Sequence, residues 1–150
     1  MASAAGIVAE ARSWISTPVR FKGRTKGVSV DCLGLILAAG FVAGDLIIPR
    51  EDLRQLERAY GWLPDSERLQ TALNHYLVRV EGDFQPGDVG AFDWGQPAAP
   101  MHLAIMAELD HRPTMIHANP LTTPKRVTET TYAAVWPVRL CGFWRFPGLV

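Results

Sequence analysis

Apolar residues recur at helical spacing through the first half of this chain and at strand spacing through the second. Ile7, Val8, Ala11, Trp14 and Ile15 share one face of a helix predicted over residues 3–16, which Thr17-Pro18 stops. Residues 33–42 are almost continuously apolar, so a second helix, over 31–43, should be buried on nearly every side before ending near Gly44-Asp45. Leu53, Leu56 and Tyr60 predict a short third helix, closed by residues 61–64. Leu69, Ala72, Leu73, Tyr76 and Leu77 predict a fourth, capped by Asp65 or Ser66. After Glu81 the punctuation becomes Gly82, Pro86, Gly87 and Gly90, and the period falls to two. Strands are expected over 89–94, 102–108, 114–118, 126–129 and 140–146, with a loop at 96–100 and a turn at 109–113. Helices first and antiparallel strands second define an α+β class. With no internal repeat, linker or low-complexity segment, residues 1–150 read as one domain.

Composition narrows the partners. Formal net charge is zero, with no long run of one sign, so neither nucleic acid nor an anionic surface is an expected partner. The longest apolar stretch is too short to span a bilayer, so no membrane insertion is expected. Met1-Ala2-Ser3-Ala4-Ala5 has no basic region, and Glu10 and Arg12 interrupt the apolar pattern that follows. A chain made in the cytoplasm without a signal peptide is expected, and its two cysteines are expected as reduced thiols.

The candidate chemistry centres on Val30-Asp31-Cys32-Leu33-Gly34-Leu35, which follows the polar, glycine-punctuated segment Lys22-Gly23-Arg24-Thr25-Lys26-Gly27. Asp31 is a good N-cap, which places Cys32 in the first helical turn, where the helix dipole favours a thiolate. The Asp31 charge opposes this, so a basic partner is expected. First-turn N–H groups lack intrahelical partners, and the Cys32 amide is placed to stabilise an oxyanion formed when its own sulfur attacks a carbonyl. The alternative is a buried structural cysteine. Cys141, in an apolar strand without a basic neighbour, is expected to be inert.

A cysteine nucleophile needs a base and the base an orienter. Of four histidines, His75 and His111 read as solvated. His102 opens a strand directly after a proline-rich loop, and His117 lies near the end of the next one. An antiparallel hairpin makes them cross-strand neighbours, one imidazole to activate Cys32 and one to hold the first. A zinc site built from Cys32, His102, His117 and a carboxylate such as Asp88 is the competing use. Neither a Cys-x-x-Cys pair nor a His-Glu-x-x-His helix is present, and no phosphate loop occurs, so no metal and no cofactor is expected. Trp94 flanks the loop before His102 and is a candidate wall of a substrate groove, while Trp14, Trp136 and Trp144 read as core.

The block around Cys32, then Gln85-Pro86-Gly87-Asp88-Val89, then the strand at His102, resembles the NlpC family of cell-wall cysteine peptidases. Met115-Ile116-His117-Ala118-Asn119-Pro120 and Leu140-Cys141-Gly142-Phe143-Trp144-Arg145-Phe146-Pro147 resemble its phage-tail and gene-transfer-agent branch. The resemblance implies a papain-like α+β fold and cleavage of peptidoglycan stem peptides, typically between D-glutamate and diaminopimelate. It maps the nucleophile to Cys32, the base to His102 and the third polar residue to His117. It also maps Asp31 to a residue that, in some members, binds the free amine of the substrate's N-terminal L-alanine. The chain departs at Leu33, where those members carry serine, and at Val19, where the family often has a tyrosine near the oxyanion. Since no secretion signal or wall-binding domain is expected and net charge is zero, carriage in a phage-like particle, docked to tail or baseplate proteins, is expected, with candidate apolar patches over residues 53–63 or at Leu149-Val150. The rival reading is a structural tail-tip component that keeps the fold without using it, and an acyltransferase or amidase using the same triad is a third.

Overall fold

Ser3 caps the first helix through its hydroxyl, which accepts the Gly6 N–H at 2.9 Å. Helix α1 (Ala4–Arg12) ends earlier than the apolar period predicts. Trp14, Ile15 and Thr17 continue in tighter i→i+3 turns, and the Ser16 and Thr17 backbones then bond to Val127. The pull of the sheet edge wins over helical propensity there. The computed structural model describes residues 1–59, 66–93, 101–132 and 139–150.

A two-stranded hairpin, β1 (Arg24–Thr25) and β2 (Ser29–Val30), forms where the sequence reads as loop. It leads into α2 (Cys32–Ala43), capped by Asp31 as expected and closed at Gly44. Leu33, Leu35, Ile36 and Leu37 are all buried, each contributing roughly 1.5–3 kcal/mol before the cost of ordering is counted. Gly40 has no room for a side chain, since a Cβ there would sit 2.7 Å from both Leu46 and Phe146. The helices α3 (Arg50–Ala59) and α4 (Ser66–Tyr76) follow. The expected closing turn at 61–64, the Asp65 cap, the loop at 96–100, Trp94 and Trp136 lie outside the described residues.

Strands β3 (Val78–Arg79), β4 (Val89–Asp93), β5 (His102–Leu109), β6 (Arg112–Asn119), β7 (Arg126–Thr131) and β8 (Arg139–Arg145) build an antiparallel sheet in the order β3-β8-β4-β5-β6-β7. The β5–β6 turn is tighter than Pro113 suggests. Asp110 and His111 both take positive φ, as a two-residue hairpin turn requires, and Pro113 already pairs with Glu108. The two faces of β5 divide as its alternation predicts. Leu103, Ile105 and Ala107 join the core under α1 and α2, while Ala104 and Met106 pack with Phe92, Met115 and Phe143 on the other face. Trp14 and Trp144 are core residues, the latter donating to Asn74 at 2.9 Å.

Candidate active site

The amino end of α2 is pinned from three sides by one carboxylate. Asp31 Oδ1 accepts the Gly34 N–H at 2.8 Å and the Arg24 guanidinium at 2.6 Å, while Oδ2 accepts the Lys22 N–H at 2.8 Å. The segment from Lys22 to Arg24 therefore lies against the first turn of the helix. Gly34 permits that approach, because a Cβ there would stand 2.8 Å from the Gly23 carbonyl oxygen and 3.0 Å from Arg24. The carboxylate that the resemblance assigns to a substrate amine is buried and already holds three donors.

Cys32 is the first residue of α2, and its Sγ lies 3.9 Å from the carbonyl oxygen of Met101. The thiol thus sits against the main chain one residue before His102. Extending the pairing Ile105–Ile116 by one step sets His117 opposite Ala104, so His102 and His117 are diagonal cross-strand neighbours. Their rings meet: His102 Nε2 and His117 Nδ1 are 2.8 Å apart, with centroids 5.0 Å apart and planes at 77°. Phe92, directly opposite His102 on β4, contributes a ring 6.4 Å away. Both imidazoles are buried. Burial lowers the His102 pKa to about 4, and burial together with the neighbouring His102 lowers that of His117 to about 3. At neutral pH both rings are uncharged, the state a general base needs.

His117 has a second partner that the sequence reading missed. Its Nε2 is 3.0 Å from the Thr130 hydroxyl on β7. The signal available for it was the spacing of β7 against His117, which needs a register that only the fold provides. Arg24 was missed as well, hidden in a polar, glycine-punctuated segment that reads as loop.

The other sequence candidates separate from this cluster. Asp88 is fully buried and bound bidentately by Arg145, Oδ1 to Nε and Oδ2 to Nη2, each at 2.8 Å. It serves the sheet rather than a metal, and among the described residues no group of His, Cys, Asp or Glu side chains is gathered to hold an ion. His75 and His111 are exposed. The Cys141 thiol is pushed up by burial and by the charge of Asp93. The substrate-groove candidate Trp94 lies outside the described residues.

No protein-family model and no curated protein matches this chain. Solved structures do. A Staphylococcus aureus protein described as similar to a lipoprotein of the NLP/P60 family matches with a TM-score of 0.60 and 21% identity over 95% of this chain and 41% of its own. A Bacillus cereus NlpC/P60 family protein gives 0.61 and 16% over 96% of this chain and 40% of its own. The chain spans about two fifths of both. The NlpC/p60 domain of the peptidoglycan hydrolase SagA gives 0.55 and 19%, covering 96% of this chain and 98% of that domain. The fold is that of NlpC/P60 domains, α+β and papain-like, with helices packed on an antiparallel sheet.

Proposed function

We propose that this chain is a cysteine peptidase that cuts stem peptides of peptidoglycan, with Cys32 as nucleophile, His102 as base and His117 as orienter. The observation that carries the reading is the buried His102–His117 contact beside a cysteine at a helix amino end. That a hydrolase of peptidoglycan shares the fold over nearly its whole domain supports the substrate class. Because His102 Nε2 faces His117, the base acts through Nδ1. It takes the Cys32 proton as sulfur attacks the amide carbon, and first-turn N–H groups of α2 stabilise the oxyanion. Collapse breaks the C–N bond, and His102 returns the proton to the leaving amine. Water, deprotonated by the same nitrogen, then hydrolyses the thioester. The bond we assign is the D-glutamyl–diaminopimelate link.

Purified protein incubated with sacculi should release dipeptide-bearing fragments resolvable by mass spectrometry. Cys32→Ala and His102→Ala should abolish release, and His117→Ala should leave residual activity, since an orienter is worth less than nucleophile or base. Intact sacculi with the wild-type protein would favour the tail-tip structural reading. Carriage on a phage-like tail is part of the proposal, supported by the resemblance of residues 115–120 and 140–147. Co-sedimentation with particles on a density gradient tests it.

A further inference from the structure

The pair of neutral imidazoles has two possible proton arrangements, and only one of them leaves a base. If the shared proton sits on His102 Nε2, it points at His117 Nδ1, and His102 Nδ1 keeps the lone pair that takes a thiol proton. The remaining proton of His117 must then be on Nε2, pointing at the Thr130 hydroxyl, 3.0 Å away. If the protons run the other way, Thr130 donates to His117 Nε2 and His117 Nδ1 donates to His102. His102 then carries its proton on Nδ1 and cannot accept one there. The choice at the far end of the chain of hydrogen bonds therefore fixes the competence of the near end.

We propose that Thr130 is a positioning residue that accepts the His117 Nε2 proton and thereby holds His102 in the tautomer with Nδ1 bare, a role that rests on reading His102 as the base. Thr130 stands diagonal to His117 across β6 and β7, since Met115 pairs with Thr130 and His117 with Thr128. It is half-buried on the edge strand β7, and the β6–β7 register sets its direction. A hydroxyl suits the task better than a carboxylate. In the accepting role it takes the Nε2 proton without the negative charge of a carboxylate, which would stabilise a resting imidazolium and cost the site its neutral base.

The test labels the protein with 15N and reads the imidazole tautomers from long-range proton–nitrogen spectra at pH 7, beside kinetics on sacculi. Wild type should show both rings protonated on Nε2. Thr130→Val, close in shape and favoured in a strand, should move His117 toward the Nδ1–H form and lower kcat roughly tenfold to a hundredfold with KM unchanged. Thr130→Ala should do the same, and Thr130→Ser should restore both readouts. Unchanged tautomers in Thr130→Val, or a serine variant as impaired as the valine one, overturn the proposal. A wild type that cuts nothing would count against the peptidase reading, while the spectra still decide the role of Thr130.

Discussion

Removing the Asp31 side chain separates a pinning role from a substrate-binding one. In Asp31→Ala the first turn of α2 loses its cap, worth about 1 kcal/mol. The Lys22 N–H loses its acceptor, about 1 kcal/mol more, and Arg24 loses a charge-assisted bond in a largely buried setting, about 1–2 kcal/mol. The losses share one carboxylate, so the total is about 3 kcal/mol, a large share of the stability of a typical domain. Asp31→Asn keeps one good acceptor oxygen but turns an NH2 toward a donor, and should lose about half as much. Equilibrium urea unfolding measures both. In a double-mutant cycle with Arg24→Met, the coupling between Arg24 and Asp31 should exceed about 1 kcal/mol. An Asp31→Ala protein within about 0.5 kcal/mol of wild type, but with a raised KM, would refute the pinning role and favour the amine-binding one.

Arg145→Met should cost about 3–5 kcal/mol in urea unfolding, because it leaves the fully buried Asp88 charge uncompensated. A loss below about 1 kcal/mol would show that the Gln85 N–H, which Asp88 Oδ2 already accepts at 2.8 Å, suffices to hold the carboxylate without Arg145. The histidine pair predicts a pH window: folded pKa values fall below the unfolded value near 6.5, so the unfolded chain binds more protons between the two. Their contribution to stability is then full above pH 6.5 and is lost as pH falls toward 4. Thermal unfolding midpoints across that range should fall more steeply in wild type than in a His102→Phe, His117→Phe double variant, and parallel slopes would contradict the assignment. Iodoacetamide at pH 7 with peptide mass mapping should label Cys32 ahead of Cys141, whose thiol is raised by burial. Preferential labelling of Cys141 would remove Cys32 from the role of nucleophile.

What could be read from the chain was whatever depends on neighbours in sequence. The α2 cap, its buried apolar run, the strands bearing His102 and His117 and their hairpin all follow from local period and capping. What escaped depends on distant partners. The early end of α1 comes from backbone bonds to Val127, the hairpin at 24–30 from a loop that folds back on α2, and Thr130 from a third strand's register. Arg24 belongs to a polar, glycine-punctuated segment until the fold sets its guanidinium, and the Lys22 backbone N–H, on Asp31. Asp88 looked like spare carboxylate because its partner Arg145 is far along the chain.

The placement of β8 between β3 and β4 bears on how the protein comes into being. As the chain leaves the ribosome, the helix bearing Cys32 and the strands bearing both histidines emerge before residues 139–145. Until those residues arrive, β3 has no sheet to join, β4 presents an open edge, and the Asp88 carboxylate waits for Arg145. Contacts of such long sequence separation close slowly and together. A nascent chain thus holds Cys32, His102 and His117 yet lacks the strand that completes the sheet beneath them. Full assembly of the sheet, and with it a fixed setting for the two histidines, comes only after β8 has been synthesised.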